Sequence, residues 1–272
     1  MAWTRVEVRD LTDAQWAAFV AAVRATHTSG TWDRMAKMAI DNQNVVNGGS
    51  IFLPWNRWYL AQMEIALWAS DPSVVMPYWN SSLDASAPQD SAVLSANRFG
   101  GNGTGSRQIV TNGAFANWQA DYPQAHALTR RYDGGTMINP FATVDVINAI
   151  IAKSTTFDQL RGALESDPWV GPHLGIGGDM ATMAASNDPL CWVHRAYIDS
   201  LWAQWQLQHG HSYGGHNPDG SLATINDALP AYGGVKVSNT MDTAKFVDAT
   251  GQPTGYSYTP PKWPYLPADS KE

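Results

Sequence analysis

Cysteine is nearly absent from this chain: Cys191 stands alone, which excludes an intrachain disulfide, a Cys-rich zinc site and a redox CxxC pair. Charge is scarce as well, at 15% of residues, and no run of Lys or Arg exists that could track a phosphate backbone. With 17 basic against 24 acidic side chains the formal net charge is −7, so nucleic acid is not an expected partner. No apolar stretch approaches the roughly 18 to 20 residues that span a bilayer, so no membrane partner is expected. The opening "MAWTRVEVRD" carries charges where a signal peptide has its apolar region, and a cytoplasmic location is the expectation. Internal repeats and strand-rich blocks are also missing.

Large apolar side chains are abundant instead. Thirteen Trp and nine Met within a composition that is 44% hydrophobic imply a well-filled interior, as one domain over 1–272. Helical spacing marks four segments. In residues 11–27, Thr12 is the N-cap and Trp16, Phe19, Val20 and Val23 form the apolar stripe. A shorter piece covers 32–40. A third, 55–69, follows Pro54, and a fourth, 188–208, has Asp188 as cap and Pro189 at its first position. A weaker helix in 143–166 breaks near Ser154. Between them lie Gly- and Asn-rich loops at 99–108 and 209–220, and a loop-rich tail over 211–272 ends in an extended stretch with Pro260, Pro261, Pro264 and Pro267. The fold class is therefore mainly α, with helices making the core and loops the rim.

"FLPWNRWYLAQMEIAL" resembles the first copper motif of bacterial tyrosinases, and "PHLGIGGDM" with "SNDPLCWVHRAYIDSLWAQWQ" resembles the second. "VRDLTDAQWAAFVAAV", "MPYWN", "VTNGAFANW", "LTRRYD" and "FDQLRGALES" follow the same family's order, so the resemblance spans about residues 5–210. It implies a four-helix bundle that holds two copper ions on six histidines and oxidises phenols with dioxygen. Imidazole suits copper in both oxidation states, and helices present it rigidly.

Carried over position by position, the ligands fall on Ala39, Asn47, Asn56, Trp169, His173 and Arg195, of which His173 alone is an imidazole. His194 stands beside Arg195 as the non-ligand member of what is a His-His pair in the family. Asparagine is a poor copper ligand, Ala and Trp are none, and a guanidinium repels a divalent cation. No metal and no other cofactor are expected. Arg57 and Asp199, Glu64, Pro54, Trp55 and Trp202 keep their structural places, and Cys191 reads as a small core residue.

The frame should then aim a new set of polar groups at its centre. His173 is expected as acid or base, Arg195 as an oxyanion clamp, and Asn47 and Asn56 as positioning groups, with Trp169, Ala39, Met183 and His194 holding the body of a small, aromatic or polyketide-like substrate. Glu165 is a candidate base partner for His173. The expected chemistry is non-oxidative: cyclisation, isomerisation, hydration or hydrolysis. Two alternatives stand beside it, a non-catalytic small-molecule binder, and an oxidoreductase with another metal arrangement. His209, His211 and His216, with Asp219 nearby, match no trusted ligand spacing and read as a solvated loop. His27 and His126 read as surface or cap residues. Oligomeric state is left open.

Overall fold

Thr12 and Gln15 exchange side-chain and backbone hydrogen bonds in a capping box, and helix α1 runs behind them from Asp13 to Thr28. A computed structural model of the chain describes residues 3–247 and 253–259. The remaining helices are α2 (Thr31–Val46), α3 (Phe52–Trp68), α4 (Val144–Lys153), α5 (Phe157–Glu165), α6 (Asp167–Ile176) and α7 (Pro189–His209). Strands are short: β1 (Trp3–Arg5) pairs in parallel with β4 (Tyr256–Tyr258), and β2 (Gln119–Ala120) pairs antiparallel with β3 (His126–Ala127). The mainly α class and the helical bundle core are as the sequence predicts.

Two differences have physical causes. Helix α2 continues six residues past the expected end at Ile40, through the polar run Asp41 to Asn44, because Val46 returns to the core and anchors the last turn. Helix α6 was not expected at all. Its sequence, DPWVGPHLGI, holds two prolines and two glycines, yet Pro168 lies in the first turn, where its missing N–H costs nothing. Gly175 lets the helix lie against Ile138 and Phe141, whose side chains a Cβ would meet at 2.7 and 2.8 Å. The expected break near Ser154 is present, with Ser154 capping α4 and Thr156 opening α5 through a second capping box.

Buried ion pairs lock the bundle. Arg130 meets Asp188 with two parallel bonds of 2.8 Å, while Asp188 caps α7 by accepting from the Leu190 N–H. Arg57 on α3 reaches Asp199 on α7 at 2.5 Å, its guanidinium lying over the Trp202 ring. Asp199 also accepts from Arg5, Tyr256 and Tyr258, and Arg5 continues to Glu64. The β1–β4 pair is thereby tied to the helices. Cys191 is buried in the core. The proline-rich stretch from Pro260 to Pro267 lies outside the described residues.

Candidate functional site

Four helices leave a cavity of about 240 Å3 at their centre. Ala39 and Gln43 come from α2, Trp55 and Asn56 from α3, Trp169 and His173 from α6, and Arg195 from α7. The loop from Met180 to Ser186 closes one side. All six positions to which the sequence assigns the family's ligands, Ala39, Asn47, Asn56, Trp169, His173 and Arg195, line this one cavity.

The local fold fixes His173. Helix α6 stops at Gly177, with φ +65°, and Gly178 follows with φ +58°. A Cβ at Gly177 would collide with the carbonyl of Arg131 and one at Gly178 with that of Thr129, so the turn accepts only glycine. That turn swings Met180 back, and its carbonyl takes a hydrogen bond of 2.6 Å from His173 Nδ1. A carbonyl only accepts, so Nδ1 carries the hydrogen and the neutral ring presents a bare Nε2. Burial pushes the His173 pKa down to about 4, the Met180 bond opposing the shift and the nearby Arg195 charge reinforcing it.

Arg195 is held by rings rather than by acids. Its guanidinium carbon lies 5.0 Å from the centroid of Tyr59 and 5.1 Å from that of Trp169. Its polar contacts are a 3.4 Å approach of Nη2 to Ser186 Oγ and a 3.8 Å approach to Cys191 Sγ. No carboxylate pairs with it among the described residues, in contrast with Arg5, Arg57 and Arg130. Asn56 donates Nδ2 to the Phe52 carbonyl at 2.8 Å. Three side-chain atoms of cavity-lining residues are buried without partners among the described residues: Asn56 Oδ1, His173 Nε2 and Arg195 Nε. Each costs about 1 to 3 kcal/mol while it stays bare, so a water or ligand that reaches it is stabilised by the contact.

Some expected residues stand elsewhere. His194 does not line the cavity. It is buried behind Trp169, stacked on that ring with centroids 5.2 Å apart, and Nε2 donates to the Trp169 carbonyl at 3.0 Å. It supports Trp169 rather than touching a substrate. Its pKa is held well below the usual histidine range, first by burial and then by His173. Glu165 is not the partner of His173: one oxygen accepts from the Gly48 N–H and the other from Arg161, a turn earlier on α5. Asn47 does reach the wall, but at the end of α2 where its side chain is exposed, so it stands at the mouth. Met183 also rims the mouth, 61% exposed, with Gln43 Nε2 donating to its sulfur.

Histidines away from the cavity take separate roles. His209 stacks on Trp205, His211 borders another cavity beside Asp242, and His216 offers its carbonyl to Ser50. His27 and His126 are less free than expected: His27 bonds the Gln119 carbonyl and lies against Trp118, and His126 Nε2 lies 3.0 Å from Asp179. Ser186, Tyr59 and the Met180 carbonyl belong to the site without a motif that marks them in the sequence. Only the Gly177-Gly178 pair signalled the last of these.

The chain matches the common central domain of tyrosinase across residues 18–208. It belongs to the tyrosinase family. A tyrosinase of Streptomyces antibioticus is 31% identical over 259 residues, covering 81% of this chain and 92% of that one. A tyrosinase of Streptomyces glaucescens is 29% identical over 82% of this chain and 90% of its own length. Among solved structures, the polyphenol oxidase of Thermothelomyces thermophila superposes with a TM-score of 0.79 over 95% of this chain and 89% of that chain, at 21% identity, which speaks for the fold alone.

The tyrosinase fold implies a copper pair, and the donors here do not fit one. One imidazole faces the cavity, beside an amide oxygen and a guanidinium cation. Among the described residues no group of three His, Cys, Asp or Glu side chains is placed to share a metal ion. No described helix is long and apolar enough to cross a membrane.

Proposed function

We propose that this tyrosinase-family protein is a copper-independent enzyme that performs non-oxidative acid-base chemistry on a small anionic metabolite with an aromatic or polyketide-like body. The observation that carries this reading is that Arg195, His173 and Asn56 line one cavity, and each keeps a buried polar atom, Nε, Nε2 and Oδ1, unpartnered among the described residues. A cavity relaxing into core filler would gain more from apolar side chains than from a buried cation with bare neighbours.

The chemistry follows from the parts. Arg195 takes the developing or standing negative charge of the substrate in a setting that lacks competing carboxylates, where such a contact is strong. His173, neutral and fixed in one tautomer, presents its Nε2 lone pair to a proton on the substrate. Anion binding at Arg195 removes the repulsion that this cation exerts on a protonated imidazole, so the ligand itself raises the basicity of His173. Proton abstraction next to a carbonyl then gives an enolate on Arg195, and the proton returns from His173 at a different carbon or to a leaving oxygen. Isomerisation, cyclisation and loss or addition of water all share that sequence. Trp55 and Trp169 supply the apolar wall for a ring.

The test is conversion of a panel of aromatic and polyketide-like acids in the presence of a metal chelator and without dioxygen, followed by mass spectrometry. The expected product differs from its substrate by nothing or by one water. Turnover that requires dioxygen and stops with the chelator would contradict the reading.

A further inference from the structure

The polarity of each bare atom narrows the ligand beyond an anion. Asn56 donates one amide hydrogen to the Phe52 carbonyl, which only accepts, and this orients the amide so that the bare atom is its oxygen, an acceptor. His173 offers a second acceptor at Nε2, since Nδ1 is committed to Met180. Arg195 Nε is the charged donor. Asn56 Oδ1 therefore calls for a hydrogen on the ligand, a narrower role than general positioning.

Charge decides which hydrogen-bearing group fits. No Asp or Glu lines the cavity among the described residues. An ammonium would satisfy both acceptors, but it would stand as a second cation beside a guanidinium that has no carboxylate partner. A neutral phenol or alcohol would leave Arg195 unpaired. A simple carboxylate would pair with Arg195 and leave both acceptors bare, at about 1 to 3 kcal/mol each. A carboxylate with a neutral hydroxyl answers Arg195 and one of the two acceptors, and it brings the site to charge balance.

We propose that the cavity selects hydroxy acids, with the carboxylate on Arg195 and the hydroxyl donating to His173 Nε2 or Asn56 Oδ1. This rests on the reading above that Arg195 receives the anion. It adds that the neighbouring hydroxyl is recognised, which ranks ligands of equal size and equal apolar body.

The test is calorimetric titration of the full chain with a matched series: mandelate, phenylacetate, phenylglycine and methyl mandelate. Mandelate should bind at least about tenfold more tightly than phenylacetate or phenylglycine, the equivalent of one hydrogen bond to a buried group. Methyl mandelate, without the charge, should bind more weakly still. Asn56→Leu should shrink the gap between mandelate and phenylacetate while phenylacetate affinity holds. Should that variant fail to fold, the four ligands on the native chain decide alone. Equal binding of mandelate and phenylacetate, tightest binding by phenylglycine, or no binding in the millimolar range would overturn the hydroxy-acid assignment. A separate arm tests the underlying reading: mandelate binding unchanged in Arg195→Gln would remove the anion from Arg195 altogether.

Discussion

His173 donates from Nδ1 to the carbonyl of Met180 across 2.6 Å, and this one bond decides which ring nitrogen faces the cavity. The contact depends on the Gly177-Gly178 turn, so backbone conformation, tautomer and the proposed proton transfer form one chain of cause.

Replacing His173 by Gln should therefore lower turnover of an identified substrate by about a hundredfold to ten-thousandfold, the usual contribution of a positioned acid or base, with little change in melting temperature. Steady-state kinetics with a parallel thermal melt separates the two effects. Full activity in the variant would remove His173 from the chemistry.

Stability should rise with pH between about pH 4 and pH 6.5. His173 in the folded chain has its pKa lowered to about 4 from the ordinary histidine value of 6.5, so in that window the unfolded chain binds more protons than the folded one. The shift corresponds to at most about 3 kcal/mol, lost progressively as pH falls through the window. His194, shifted the same way, adds to it. Denaturant melts at several pH values should show the slope, and it should flatten in His173→Gln. A slope unchanged by that substitution would mean that other groups carry it.

Asp199→Asn should destabilise the chain by about 3 to 5 kcal/mol, since Arg57 and Arg5 would both stay buried around an uncharged amide. Burial alone would raise the Asp199 pKa, but the Arg57 and Arg5 charges outweigh it and hold the carboxyl below its usual range. Because Tyr256 and Tyr258 also donate to this carboxylate, hydrogen exchange should speed up first at the β1–β4 pair. Equal protection in variant and native chain would disprove the tie.

Much of the fold was legible because its signals are local. The Thr12 cap, the Asp188-Pro189 start of α7 and the break at Ser154 are each written in a few neighbouring residues. The six aligned positions also met around one cavity, since the spacing of helical motifs carries over into helical geometry. Helix α6 was hidden because its prolines and glycines suit a first turn and a close approach that only tertiary packing shows. His194 and Glu165 were misplaced for a related reason. Sequence proximity to the site says nothing about which side of Trp169 a ring lies on, or that Gly48 and Arg161 occupy a carboxylate. The polarity of Asn56 was likewise invisible until the Phe52 carbonyl fixed its amide.

The most direct measurement is elemental analysis of the protein purified after growth with copper and zinc supplied. Copper far below one ion per chain is the predicted result, consistent with a cavity whose wall offers a single imidazole beside Arg195. Two copper ions per chain would contradict it, and would return the protein to the phenol oxidases.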